Sequence, residues 1–126
     1  MMINDSPLRK KAYQFALNVA LLCKKIQEEK REYTFTKQLI KSSTSVGANV
    51  EEAQQAESRK DFIKKLSIAM KEAYESRYWI NIMRDTGYAT VEQIQQLPNI
   101  EEVIALIGSS IKTAKKNLTK TQNNEE

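Results

Sequence analysis

Histidine is absent from this sequence of 126 residues, and cysteine is represented once. Without an imidazole, the chain has no histidine for acid–base catalysis, no Ser/His or Cys/His nucleophile pair, and none of the usual histidine ligands of zinc or di-iron sites. The one cysteine, Cys23, excludes an intramolecular disulfide and fits a reducing compartment. Because Cys23 lies on an apolar helical stripe, we expect a small buried residue rather than a reactive thiol.

Glycine and proline are also scarce, with 3 Gly and 2 Pro, so the chain has few breaks and long helices are expected. No run of 18 consecutive apolar residues is present, which predicts that the chain has no membrane span. Gln14 and Asn18 interrupt the apolar run that precedes Cys23, and Leu22 is not the small residue that a signal cleavage site needs. We therefore expect a cytoplasmic protein with no membrane partner.

The composition is that of one soluble globular domain, with 40% hydrophobic and 29% charged residues. The net charge of +4 and the pI of about 9.1 suit a polyanionic partner without requiring one. Lysine and arginine occur in clusters, but acidic residues are interspersed among them. The same pattern is therefore typical of solvated helix faces with ion pairs between neighbouring turns.

Apolar residues at spacings of three and four predict four long helices. Ser6 and Pro7 are typical of the start of the first helix, whose stripe consists of Ala12, Phe15, Ala16, Val19, Leu22, Cys23 and Ile26. Leu17 and Leu21 lie off this stripe and indicate a second contact, which another subunit would satisfy.

The second helix is predicted over about residues 37–55, after a break at 32–36, and the third follows Ser58 as its N-cap and ends before a left-handed Gly87. A short turn over residues 90–97 leads to Pro98 and the last helix. Short connections between long helices imply antiparallel neighbours. The predicted fold is all-α, an up-down four-helix bundle over residues 1–118, with a polar and disordered tail over 119–126.

Two polar pairs lie on neighbouring predicted helices: Asn49 with Glu52, and Glu72 with Glu75. The favoured interpretation is a buried polar network that fixes the register of the two helices. The alternative is a Mg²⁺ site for nucleotide hydrolysis built from Glu52, Glu72 and Glu75. Since the ExxE spacing is common in helices by chance, we predict no catalytic residue, no metal and no cofactor.

Small residues are concentrated in the second helix, where Ser42, Ser45, Gly47 and Ala48 favour close helix packing over a groove for an RNA backbone or a partner helix. The aromatic group Tyr74, Tyr78 and Trp79 has two interpretations as well. Core or interface packing is favoured, and stacking on bases of single-stranded nucleic acid is the alternative.

Three segments together resemble a known family. They are S-V-G-A-N-V-E-E-A (45–53), D-F-I-K-K-L-S-I-A-M-K-E-A-Y-E-S-R-Y-W-I (61–80) and T-G-Y (86–88). The sequence is similar, from about residue 8 to 118, to the bacterial "four helix bundle protein" family, also called 23S rRNA intervening-sequence proteins. This resemblance implies an antiparallel four-helix bundle that assembles into a ring-like homopentamer. A related branch is the accessory protein of diversity-generating retroelements, a basic pentamer that works with a reverse transcriptase and RNA.

The leading hypothesis is therefore a non-enzymatic, homo-oligomeric scaffold or adaptor, and the sequence identifies no small-molecule substrate. Binding of structured RNA is the second hypothesis, and its predicted surface consists of Lys60, Lys64, Lys112, Lys115 and Lys116. A Mg²⁺-dependent nucleotide hydrolase is the third.

Overall fold

Four long helices and one short helix make up the computed structural model, which describes residues 6–125, with side chains described for residues 6–119. The helices are α1 (Pro7–Lys30), α2 (Thr34–Gln54), α3 (Arg59–Asp85), α4 (Val91–Gln95) and α5 (Ile100–Glu125). The long helices pack antiparallel in the order α1, α2, α3 and α5, and α4 lies in the connection between α3 and α5. The predicted all-α fold of four antiparallel helices is confirmed. In the part of the chain that the structure describes, no helix combines the length and the apolar character needed to cross a bilayer.

The predicted N-caps are confirmed by their hydrogen bonds. The Ser6 hydroxyl accepts from the backbone N–H of Arg9, and the Ser58 hydroxyl accepts from that of Asp61 at 3.0 Å. Side-chain oxygens at these positions satisfy N–H groups that have no partner within the helix. Gly87 adopts the predicted left-handed conformation, with φ of 85°, directly after α3.

The start of α2 differs from the prediction, because the helix begins at Thr34 rather than near Lys37. The buried carboxylate of Glu32 explains the difference. It accepts from the backbone N–H groups of Phe35 and Thr36 at 2.8 and 2.9 Å, so the first turn forms where a break was expected. The Thr36 hydroxyl donates to the carbonyl of Glu32 and accepts from the side chain of Gln27, which ties the end of α1 to the start of α2.

The core follows the predicted stripes closely. Its largest fully buried apolar side chains come from all four long helices and include Phe15, Ile26, Leu39, Val46, Leu66, Met83, Val103 and Ile107. Each side chain of this kind stabilises the fold by about 1.5–3 kcal/mol through burial. On α3, Ile68 and Tyr78 lie beside the apolar stripe and are 36% and 56% exposed.

The C-terminal helix continues to Glu125 through most of the segment predicted as a disordered tail. The side chains beyond Thr119, and residue 126 as a whole, lie outside the described residues. The division into a domain over 1–118 and a tail therefore stays a prediction.

Candidate functional site

The predicted basic surface lies at one end of the bundle, where α3 begins and α5 approaches its end. Arg77 donates to Glu101 at 2.8 Å, and Gly108 packs against Met70, so the two helices run antiparallel in a fixed register. If this register continues along both helices, the first turns of α3 lie beside the part of α5 that follows Gly108 by one to two turns. All five predicted lysines are exposed there: Lys60, Lys64, Lys112, Lys115 and Lys116.

A cleft of about 760 Å³ borders this basic end, between the end of α2, the start of α3 and the middle of α5. Its walls carry hydroxyl and amide side chains on α5, together with one arginine and one aromatic ring on α3. These residues are Ser109, Ser110, Thr113, Asn117, Arg59 and Phe62. The described residues that line the cleft include no carboxylate, so their chemistry suits hydrogen bonding to an anionic or polar group rather than coordination of a cation.

The predicted polar network is replaced by separate local contacts. The side chain of Asn49 donates to the carbonyl and hydroxyl of Ser45 on its own helix, at 2.8 and 3.1 Å. Glu52 is exposed and accepts from Lys65 at 3.3 Å. Among the described residues, the hydrogen bond that links the interiors of α2 and α3 joins the hydroxyls of Ser76 and Ser42 at 2.9 Å.

The register of α2 and α3 explains why the predicted pairs do not meet. The Ser42–Ser76 and Glu52–Lys65 contacts place residue 46 level with Glu72. Glu52 is then about 9 Å further along the helix axis, at 1.5 Å per residue. Glu75 is exposed and Glu72 is half-buried.

The carboxylates proposed for a Mg²⁺ site are not assembled within one chain. Over the described residues, no group of three or more His, Cys, Asp or Glu side chains lies close enough together to hold a metal ion. A hard divalent cation in a hydrolase needs several convergent oxygen ligands. The geometry therefore gives the nucleotide hydrolase hypothesis no support.

An apolar groove runs between the outer faces of α1 and α2, with a volume of about 500 Å³. Its rim is formed by Tyr13 and Leu17, and Leu21 follows one turn further on. These side chains are 53%, 40% and 56% exposed. Its floor is formed by small residues, Ala16 and Ala20 on α1 and Gly47 and Ala48 on α2.

The small residues of α2 contribute both to close helix packing and to the lining of the groove. The position where a Cβ of Gly47 would lie is 3.6 Å from the Cβ of Ala16, so α1 and α2 approach closely there. Ala48 is exposed and lines the groove. Tyr13 was not predicted to belong to this exposed apolar surface, although it precedes Leu17 and Leu21 at helical spacing. At the end of the groove, Arg9 and Glu51 form a hydrogen-bonded ion pair. The hydrogen bond with Glu51 raises the pKa of Arg9.

The aromatic residues of α3 divide between core and surface. Trp79 is half-buried and stacks on Phe35 at 6.1 Å between ring centroids, and its indole N–H has no hydrogen-bond partner among the described residues. Tyr74 and Tyr78 are 47% and 56% exposed, so they lie outside the core of the subunit, and the interface packing considered for them stays a prediction. Tyr78 packs edge-on against Trp79 at 5.0 Å, and the Arg77 guanidinium lies 5.1 Å from the centroid of the Tyr74 ring.

The thiol of Cys23 is fully buried, as predicted. Burial, together with the nearby charge of Glu32, raises its pKa from 9.0 to about 12. The thiolate is the nucleophilic form of cysteine, so this thiol is unreactive near neutral pH.

Comparison with known proteins agrees with the fold. The family model of the 23S rRNA-intervening sequence protein matches residues 4–109. A protein of unknown function from the S23 ribosomal protein family of Bacteroides thetaiotaomicron is 42% identical to this chain in sequence. Its crystal structure matches this structure with a TM-score of 0.80. The match covers 83% of this chain and 98% of the other. No curated protein matches the chain.

Proposed function

The chain belongs to the family of 23S rRNA-intervening sequence proteins, and on this premise we propose that it is a non-enzymatic, homo-oligomeric scaffold or adaptor of the cytoplasm. The observation that carries the proposal is the apolar groove between α1 and α2. Tyr13 and Leu17 form the rim of the groove, and Leu21 follows one turn further on. Together with the floor of small residues, these exposed side chains form an apolar surface that is in contact with water in a monomer. Contiguous exposed apolar surface of this kind marks interaction sites.

A second copy of the chain is the occupant that we propose for the groove. Each copy would bury the same apolar face, so assembly would remove that face from water on every subunit. The ring-like pentamer that the family resemblance implies is the assembly we propose. The ion pair of Arg9 and Glu51 at the end of the groove provides a polar boundary for the contact.

Light scattering behind a sizing column tests this proposal. At micromolar concentration we expect a mass near five times the 14.5 kDa of one chain. Leu17→Glu with Leu21→Glu places charges in the contact and should produce monomers with an unchanged helical circular dichroism spectrum. The matched control is Val91→Glu, at a position on α4 that is 51% exposed, and it should assemble like the parent. A parent protein that elutes as a clean monomer would exclude the scaffold proposal.

The second candidate function is binding of structured RNA by the basic surface, and the clustering of five exposed lysines at one end of the bundle favours it. Phosphate contacts made by lysine release counterions, and their number sets the steepness of the salt dependence. A ring of subunits would repeat the surface around the assembly, and five copies of a chain with charge +4 would attract RNA over a wide area. The family's resemblance to retroelement accessory proteins is a further reason to test RNA.

Lys112→Gln with Lys115→Gln is the variant that tests this surface. Its control is Lys24→Gln with Lys25→Gln, which removes the same charge from an exposed part of α1. If the proposal holds, binding of an RNA hairpin weakens in the first variant and is nearly unchanged in the second. Equal losses in both would mean that net charge alone attracts RNA, and no retention of RNA by the parent at low salt would exclude this function.

A further inference from the structure

The outer face of α3 is a continuous exposed line that neither the core nor the neighbouring helices cover. Exposed positions recur along it at alternating spacings of four and three residues, which follow one face of a helix. From the start of the helix towards its end, they are Lys60, Lys64, Ser67, Lys71, Tyr74 and Tyr78. Lysines thus occupy the first half of the face and tyrosines the second.

The two tyrosine rings are exposed but supported. The guanidinium of Arg77 lies 5.1 Å from the centroid of the Tyr74 ring, and Tyr78 and Trp79 form a T-shaped contact with ring centroids 5.0 Å apart. Roughly half of the surface of each tyrosine residue remains accessible, at 47% and 56%. Side chains held in place before binding lose less conformational entropy when a ligand stacks on them. The rings are about 6 Å apart along the axis, at 1.5 Å per residue.

Lysines on α5 widen the basic half of this face. Lys112 and Lys115 follow Gly108 by four and seven residues, and Gly108 packs against Met70 of α3. Since positions three, four and seven apart share a helix face, both lysines lie on the side of α5 that borders α3. With Lys60 and Lys64 they form one basic area at the end of α3 opposite the tyrosines.

We infer that the outer face of α3 binds a single strand of nucleic acid, with its phosphates at the lysines and unpaired bases stacked on Tyr74 and Tyr78. The inference rests on the second candidate function, the binding of RNA by the basic surface, and specifies unpaired segments as the part of the nucleic acid that is bound. Aromatic rings stack on bases that are free of a duplex, whereas an A-form helix offers only its backbone and shallow groove. The face from Lys60 to Tyr78 is about 27 Å long, which accommodates several nucleotides.

A protein partner fits this face less well. Interfaces between proteins are depleted in lysine, and three lysines occupy the line that leads to the two rings. A row of lysines that leads to supported aromatic rings is instead a combination suited to binding single strands without strong sequence preference.

Filter binding of a 15-nucleotide oligo(U) tests the inference, with oligo(dT) of the same length and a 15-base-pair RNA duplex as companions. Tyr74→Ala with Tyr78→Ala should weaken oligo(U) binding by about 5- to 150-fold for each ring that is lost. Tyr33→Ala is the matched control, because Tyr33 is 48% exposed directly before α2 and away from this face, and it should bind like the parent. Tyr78→Phe keeps the ring and should bind nearly normally.

The salt dependence of oligo(U) binding distinguishes the contribution of the tyrosine rings from that of the lysines. Removal of the rings should leave the slope of log affinity against log salt unchanged, because no phosphate contact is lost. Lys60→Gln with Lys64→Gln should reduce the magnitude of that slope by about 1.4, since each phosphate contact with a single strand contributes about 0.7. Comparison of oligo(U) with oligo(dT) shows whether RNA or DNA is preferred.

The results that would refute the stacking inference differ from those that would refute RNA binding by the basic surface. If the tyrosine variants bind like the parent while the lysine variants fail, the basic surface stands and the stacking inference is wrong. Equal binding of duplex and single strand also overturns it. If Tyr74→Ala with Tyr78→Ala changes the mass measured by light scattering, the face is a subunit contact and the inference fails. If the parent binds no nucleic acid, the inference and the basic surface fail together.

Discussion

Replacement of Glu32 by alanine should destabilise the fold by about 2 kcal/mol, because this carboxylate caps α2. It accepts from the backbone N–H groups of Phe35 and Thr36 at 2.8 and 2.9 Å, and it is only 7% exposed. Loss of a helix cap costs about 0.5–2 kcal/mol. Two donors lose their acceptor here and one of the bonds is buried, so the upper end of that range is expected. Glu32→Gln keeps one oxygen acceptor and should cost about half as much.

Urea unfolding followed by circular dichroism measures the effect. Protein concentration must be the same for all variants, since self-association would add to the apparent stability. The midpoint should fall without a change in the slope of free energy against urea, because the folded contacts elsewhere are intact.

Glu52→Ala is the matched control for this measurement. Glu52 forms an exposed ion pair with Lys65 at 3.3 Å, and such pairs contribute about 0–1 kcal/mol. In 1 M salt, where the Debye length is about 3 Å, the effect of Glu52→Ala should shrink and that of Glu32→Ala should persist. A loss below about 0.5 kcal/mol for Glu32→Ala would refute the capping role.

Three further predictions concern the interior and one turn. The pKa of Cys23 is raised by burial from 9.0 to about 12, so the unfolded thiol ionises first as pH rises. The free energy of unfolding should therefore be unaffected below pH 9 and fall between about pH 9 and 12, a fall that Cys23→Ala should lack in the same urea titrations. Gly87→Ala should cost about 1–2 kcal/mol, since φ at this position is 85°; a neutral thermal melt would contradict this. Alanine at Ser42 and Ser76, singly and together, should give a coupling energy of about 0.5–1.5 kcal/mol in a double-mutant cycle. A coupling of zero would show that each hydroxyl is satisfied by its own helix.

Much of the fold is predictable because its signals are local. Ser6 and Ser58 as caps and Gly87 as a left-handed turn are each determined by a few neighbouring residues. The apolar stripes depend only on helical periodicity, and they identify the core. Glu32 was not recognised because capping from a position before the helix depends on the path of the chain between α1 and α2, which no short motif encodes.

The surfaces were less predictable because they depend on how the helices are aligned and on which flank of each stripe is covered. The predicted network of Asn49 and Glu52 with Glu72 and Glu75 required a register that differs from the observed one by several residues. Tyr78 lies beside the stripe of α3, and only the position of its neighbours shows that it faces solvent. The five lysines of the predicted basic surface lie at the same end of the bundle because the antiparallel packing of α3 and α5 follows from the up-down topology, and their role stays a prediction.

The contact of Tyr78 with the single tryptophan, Trp79, gives the protein an intrinsic optical reporter. Trp79 stacks on Phe35 in the interior and touches Tyr78 at the surface, so one indole senses both environments. Unfolding would expose the indole to water and shift its emission to the red. A base stacked on Tyr78 would instead quench that emission without a shift. A fluorescence titration of the unlabelled protein can therefore distinguish occupancy of the outer face of α3 from loss of structure in a single experiment.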